Sequence, residues 1–303
     1  MAPFDVPAFD YTEYSDRQLA AIPLAVLAFA LTLLAVTFVL TGTPLSMGIE
    51  FTGGAELTLD TEANQDEVEA AFDEEVTSVQ PVQGEDRYVV QFAAGDLPGF
   101  EDDSQGVLQN LVDQAEANLD SLDEEDSVVQ SESVTSAAFG AQTQTTALLG
   151  IVAAFLGMSI IAFALFRTFV PSIAIVASAF SDMMIPLAFM AVAGIELTLG
   201  TVAALLLLIG YSVDSDILLN NHVLRRGGDF YESTYTAMQT GVTMTVTSMA
   251  AMLVMAISAY FFGIGLLASI GIILFVGLAA DLMNTYMLNF SLLRWYVHEG
   301  VRR

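Results

Sequence analysis

The sequence predicts a membrane α-helical bundle of six transmembrane helices, with one external α+β domain inserted between the first and second. Three observations carry that prediction. The chain of 303 residues is 54% hydrophobic with a mean hydropathy of +0.61, too apolar for a soluble domain. Six apolar runs are long enough, at 1.5 Å per residue, to cross about 30 Å of hydrocarbon. Between the first two runs lies a segment, Gly48–Thr146, that holds 24 of the 36 acidic residues and only one arginine, Arg87.

In chain order, residues 1–18 form a polar segment with Pro3 and Pro7. It lacks the basic start of a signal peptide. The first span, 19–41, carries Pro23 in its first turn, where a missing N–H costs little, and Gly42, Pro44 and Gly48 stop it. The external domain, 42–146, reads as strand (Ile49–Leu59), helix (Asn64–Glu75), strand (Val76–Val82), turn (Gly84–Asp86), strand (Arg87–Phe92), helix (Ser104–Leu119) and strand (Asp126–Val134). Its apolar period switches between two and 3.6 as that order requires. A β-α-β-β-α-β order is the ferredoxin-like arrangement. A five-helix bundle follows over 147–293, with spans at 147–166, 169–193, 197–219, 238–262 and 264–293, and then a tail, 294–303. The tight connections Arg167–Thr168 and Gly194–Glu196 imply antiparallel neighbours, whereas Asn220–Ala237 reads as a longer connection.

Charge supplies orientation and habitat. Net charge is −28, and all eight basic residues are arginine. A lysine-free acidic chain points to adaptation to very high salt, where repulsion is screened over roughly 3 Å. An acidic surface for a basic partner or for metal ions is the other reading. If the spans simply alternate, Arg17, Arg167, Arg225, Arg226, Arg294, Arg302 and Arg303 fall on one side and Arg87 alone on the other. That bias predicts a multi-pass cell-membrane protein with both termini cytoplasmic and the acidic domain, 42–146, extracellular. The absence of a basic patch argues against nucleic acid as a partner. No cysteine is present, so thiol chemistry is excluded.

Carboxylates inside hydrocarbon are costly and are functional candidates by default. Asp182 lies mid-way along the third span, Asp214 and Asp216 toward the inner end of the fourth, and Asp281 near the middle of the sixth. Pro186 leaves the Asp182 carbonyl without its helical donor, which either exposes a polar group there or marks a packing kink. Asp214 and Asp216 stand about 200° apart around a helix and cannot face one partner. Asp214 shares a face with Gly210, where another helix can approach closely, and is the favoured relay; Asp216 reads as nearer water. The fifth span sets Thr240, Thr243 and Thr247 on one face, with Thr243 at about the depth of Asp214, so the proton or ion relay candidates are Asp214, Asp216, Asp182, Asp281, Thr243 and Thr247. No arginine lies inside a predicted span, so these acids must meet protons, a cation or a second chain.

Other motifs carry less. FTGG (Phe51–Gly54) has no P-loop spacing and reads as a close backbone approach opening the first strand. Glu74–Glu75 and Glu124–Asp126 lack EF-hand spacing, His222 and His298 are isolated, and Met244, Met249, Met252 and Met255 read as bundle filler. No metal site, cofactor or nucleophile–base pair is visible, which argues against an enzyme.

The stretch GIEFTGGAELTL, with Gly48, Phe51, Thr52, Gly53 and Gly54, resembles the GIDFTGG motif of the SecD/SecF protein-export family. VTSAAFGAQT (Val134–Thr143) is similar to a degenerate form of that family's VGPxxGxE segment, and GYSVDSDILL (Gly210–Leu219) to its fourth-span GYSxNDT. The layout of one external domain followed by five clustered spans also agrees. The small external domain is nearer the SecF than the SecD members, and the composition nearer halophilic archaea. The resemblance implies half of an RND-like fold, a SecD partner as the other half, action at the SecY/SecE channel on a translocating polypeptide amid membrane lipid, and use of the proton motive force. It leaves as alternatives a half-transporter for lipids or small molecules and an uncoupled scaffold of the channel. By register the family's fourth-span aspartate falls on Ser215, and the fifth-span arginine of bacterial members falls at about Thr243.

Overall fold

The computed structural model describes residues 13–82, 86–122, 127–225 and 230–300. Most of the N-terminal segment, Gly84 and Glu85 of the predicted turn, Glu124–Asp126, and Arg226, Arg302 and Arg303 lie outside these residues, as does the Arg225 side chain. Among the described residues, six helices are long and apolar enough to cross a membrane.

The first, α1 (Asp16–Thr41), starts at a capping box in which Ser15 and Gln18 satisfy each other's backbone N–H groups. It ends at Gly42 in the left-handed region, φ 79°. After a short helical turn, α2 (Ile49–Thr52), the α+β domain runs β1 (Gly54–Asp60), α3 (Gln65–Ala70), β2 (Ser78–Val82), β3 (Arg87–Ala93), α4 (Ser104–Asn118) and β4 (Val129–Thr135). The predicted first strand therefore begins five residues late. Gly53 breaks the chain direction and α2 occupies the start of the motif.

The four strands pair antiparallel in the order β2-β3-β1-β4, which is the ferredoxin-like sheet. Alternate β1 residues Ala55, Leu57 and Leu59 are fully buried and meet Val90 and Phe92 of β3 and Val68, Leu111 and Ala115 of the two helices. That period of two supplies the domain's apolar core. On β1 and β3, Asp60 stands directly opposite Arg87, and the guanidinium Nε and Nη2 donate to its two carboxylate oxygens.

The remaining spans are α5 (Ala137–Phe166), α6 (Phe169–Ala193), α7 (Leu199–Arg225), α8 (Phe230–Phe261) and a long sixth span. The last runs as α9 (Gly265–Met283), a π-helical segment (Asn284–Asn289), α10 (Phe290–Trp295) and a final π-helical stretch (Tyr296–Gly300). Three boundaries differ from the sequence reading. The second span starts ten residues earlier, because Ala137–Thr146 is helical although polar. Most of the predicted connection Asn220–Ala237 belongs to α7 and α8. The predicted tail is helical to Gly300, and Arg294 is buried there against Asp16 and the Tyr14 carbonyl, over the Phe290 ring.

α6 and α7 have 56% of their most apolar stretch buried, against 17% for α1, 11% for α5 and 17% for α8. Together with the sixth span they form the centre of the bundle. Small residues bring backbones together there: a Cβ on Gly271 would lie 2.9 Å from the Ala256 backbone, and one on Gly277 would lie 2.4 Å from the Leu208 side chain.

Candidate functional site

The central three helices place polar side chains on facing stripes. α7 carries Ser212, Ser215, Asp216 and Asn220; the sixth span carries Asp281, Asn284, Thr285 and Asn289. Both sets have the spacing i, i+3, i+4, i+8, one helical face. α6 adds Ser178 and Asp182 one turn apart. All ten are essentially inaccessible.

Nine of the ten are linked by hydrogen bonds, in two clusters bridged where the Ser215 hydroxyl donates to the Ser212 backbone carbonyl at 3.0 Å, and Asn220 takes no part. Asp182 Oδ2 accepts from the Ser212 hydroxyl at 2.6 Å, with the Ser178 hydroxyl at 3.5 Å, and Asp182 Oδ1 accepts from the Asn284 amide at 2.5 Å. The Ser215 hydroxyl lies 2.8 Å from both oxygens of Asp281. Asp216 Oδ1 accepts from the Thr285 hydroxyl and the Asn289 amide, each at 2.8 Å. Thr285 lies 3.3 Å from Asp281 as well, so it joins two of the acids.

Every donor in this set is neutral. A buried carboxylate without a cation costs several kcal/mol, and neutral hydrogen bonds recover only part of that. Three such groups around shared hydroxyls must take up positive charge, as protons or as a metal cation. The arrangement offers alternative hydrogen-bonding positions at each acid.

The structure changes the ranking of the sequence candidates. Asp182, Asp216 and Asp281 come together. Asp214 is exposed on the opposite side of α7, as the helical period demands once Asp216 faces inward. Asp216 is fully buried and not at a wetted edge. Gly210 shares the outward face with Asp214, and a Cβ there would meet nothing within 4 Å, so it serves no close approach inside this chain. That role on α8 belongs to Gly241, where a Cβ would fall 2.1 Å from the Tyr286 hydroxyl. Thr243 and Thr247 donate to carbonyls of their own helix, those of Gln239 and Thr243, at 2.6 and 2.7 Å and stay out of the network. Sequence reasoning misses Ser212, Thr285 and Asn289, and reaches Ser215 only as the register of the family's aspartate and Asn284 only as a neighbour of Asp281 on its helix. The matching polar stripes on two apolar helices were the available signal.

The FTGG motif forms a joint between the α+β domain and the bundle. Gly53 (φ 72°) packs so closely that a Cβ would lie 2.6 Å from the Ala137 backbone at the start of α5. Gly54 (φ 145°) would set one 2.0 Å from the Phe92 carbonyl. Gly140 of α5 approaches the Gly53 nitrogen in return, so FTGG and the AAFGA turn of α5 interlock. Phe51 is buried, and the Thr52 hydroxyl donates to the Gly53 carbonyl at 2.9 Å. Gly48 N donates to Leu197 O at 2.9 Å, and Leu197 N donates to Ser46 O at 2.8 Å, which ties the domain to the α6–α7 connection.

Beside this joint a cleft of about 590 Å³ is lined by Glu50, Glu56 and Glu196 among others. Burial pushes the Glu196 carboxyl above its ordinary 4.5, and the Glu50 charge adds to the effect. Burial also raises Glu50, with the Glu56 charge as a smaller contribution. A raised carboxyl contributes stability that is fully present below the ordinary value and is lost as pH rises through the raised one. Glu196→Gln is therefore expected to raise the melting temperature at neutral pH by roughly 1–2 °C, since the site is partly solvated. The difference should vanish below about pH 4.5. A neutral-pH scan in which Glu196→Gln melts lower would reverse the assignment.

Comparison with known proteins gives the family. Residues 114–299, which include all three buried acids, match the family described as protein export membrane protein SecD/SecF, C-terminal. Residues 38–64, which include the glycine joint, match the SecD/SecF GG motif. The chain belongs to the SecD/SecF family. It is 57% identical to the protein-export membrane protein SecF of Haloferax volcanii, over 100% of both chains. It is 38% identical to that of Methanolacinia petrolearia over 96% of this chain and 98% of the relative. Among solved structures, SecDF of Thermus thermophilus, a translocon-associated membrane protein, superposes with a TM-score of 0.71 at 20% identity. That match covers 99% of this chain and 40% of the SecDF chain. This SecD/SecF family member is thus a multi-pass membrane protein of the Sec export system with the fold of one part of SecDF.

Proposed function

We propose that this chain is a non-enzymatic accessory subunit of the Sec translocase. It pairs with SecD in the lipid bilayer, acts at the SecY/SecE channel, and draws on an ion or proton gradient to promote export of polypeptides. Both termini face the cytoplasm and the acidic domain faces outward, where the α+β sheet meets the emerging polypeptide. The observation that carries the reading is the network of Asp182, Asp216 and Asp281, buried across three helices with neutral partners only. A scaffold has no need of three costly acids at one place, whereas a gradient-coupled device needs groups that take up and release charge.

The outward face of α7 supports the pairing. Leu199, Leu207, Gly210 and Asp214 are exposed along it, and an acid on a lipid-facing stripe is stabilised by a second helix that supplies a donor. The test is affinity purification of the tagged chain from mildly solubilised native membranes at high salt. SecD, SecY and SecE are expected to co-purify, and Asp214→Leu is expected to reduce the SecD yield several-fold. Recovery of the chain alone, or with a small-molecule transport system in their place, would overturn the proposal.

A further inference from the structure

The acid network ends, on the side away from the external domain, in oxygens that no described group satisfies. Asp216 Oδ2 has no hydrogen-bond partner, although Oδ1 of the same carboxylate has two. Asn289 donates its amide to Asp216 and leaves its own oxygen unpartnered. Asn220 lies one turn beyond Asp216 on the same face of α7, is fully buried, and has neither amide atom partnered. An amide buried without partners costs about 1–3 kcal/mol, so three unsatisfied groups in one place need a common physical reason.

From this geometry we propose that Asp216, Asn220 and Asn289 form a binding site for a singly charged alkali cation. The available ligands are one carboxylate oxygen and two amide oxygens, the hard oxygen set that such ions prefer. Neutral hydroxyl and amide donors hold Asp216 Oδ1, which leaves Oδ2 as the single charged ligand. Among the described residues no three His, Cys, Asp or Glu side chains gather at metal-ligand spacing. That argues against a divalent ion, which would need more negative charge than one carboxylate provides. Asn289 also sits in the π-helical segment, where the departure from the α pattern re-aims side chains and loosens the backbone ladder. Interrupted membrane helices hold coupling cations in this manner. What the bound ion accomplishes rests on the gradient-coupled reading above, but its binding does not.

The test uses the purified full-length chain in detergent, with sodium as the probe. Sodium chloride replaces choline chloride at constant high ionic strength, so that general screening of the acidic surface is held fixed. The melting temperature is expected to rise saturably with sodium, because a ligand bound only to the folded state stabilises it. Asp216→Asn and Asn220→Leu are each expected to raise the half-saturating concentration at least tenfold, while Thr247→Ala leaves it unchanged. Radioactive sodium binding to the unmutated chain gives a second reading that does not depend on any variant folding, with one ion per chain expected. Absence of saturable sodium binding to the unmutated chain overturns the proposal, as does a melting temperature that responds to pH but not to sodium. Unchanged sodium affinity in Asp216→Asn overturns it equally. Because export is not measured, a negative result leaves the translocase reading standing, and failure of that reading leaves a positive binding result intact.

Discussion

Asp216→Asn is expected to abolish gradient-driven export while the chain still folds and assembles. The substitution keeps the size of the side chain and an oxygen to accept from Thr285 and Asn289, which now bond Asp216 at 2.8 Å each. It removes the ionisable group. Export into membrane vesicles should fall at least tenfold, to the level seen with the gradient collapsed. Asp281→Asn should behave alike, because Thr285 bonds both Asp216 and Asp281, and so should Asp182→Asn, whose partner Ser212 accepts the Ser215 hydroxyl at its backbone carbonyl. Thr247→Ala should stay within about twofold of the unmutated chain, since its hydroxyl bonds only its own helix. Effects on groups that act together are not additive, so a double variant should be no worse than either single one.

The second large effect falls on the joint. Gly54→Ala adds a Cβ 2.0 Å from the Phe92 carbonyl at a φ of 145°, a backbone conformation that side chains rarely adopt. Positive-φ strain of about 1–3 kcal/mol adds to overpacking of about 1–3 kcal/mol. The clash is with backbone, so no rotamer change relieves it. The sheet is expected to lose the β1–β3 register near Gly54 and Ala93, and the domain to detach from α5. Hydrogen exchange should show this as faster exchange in β1, β3 and the first turns of α5, with the centre of the bundle unchanged. Gly53→Ala should act in the same direction through the Ala137 backbone. Native-like protection in β1 of Gly54→Ala would show that the joint is not a packed one.

Much of this architecture is legible in the sequence, for identifiable reasons. Ala55, Leu57 and Leu59 alternate as a half-buried strand must, and the order of periods around them specifies a ferredoxin-like sheet. Apolar length alone locates six spans. Helix ends are less legible, because hydropathy marks hydrocarbon and not helix. Gln142, Thr143, Gln144, Thr145 and Thr146 are polar, yet they continue α5 toward the α+β domain. The start of the first strand was misplaced for a related reason: Ile49–Thr52 has strand-like residues but folds as a turn of helix that buries Phe51 before Gly53 reverses the path.

Within the site, the acids were visible and their facing was not. Two carboxylates two residues apart force one inward and one outward, and a single helix holds no information on which. Gly210 pointed to Asp214, but the helices that α7 packs against inside the chain lie on the other side, at Ser212, Ser215 and Asp216. Ser215 shows a related point. It occupies the register of the family's aspartate and donates to Asp281 on the facing helix, so the carboxylate at that position comes from across the interface. Uncharged Asn220 and Asn289 gave no cost signal in the sequence and became informative only once their burial was known.

On the proposed function, charge exchange passes through the acids of α6, α7 and the sixth span. The most direct measurement is ion flux through the chain reconstituted with SecD in sealed proteoliposomes, with proton and sodium movement followed after a gradient is imposed. The account predicts a gradient-dependent cation flux that disappears in Asp216→Asn and persists in Thr247→Ala. A flux of equal size in Asp216→Asn, or one lost in Thr247→Ala, would contradict it.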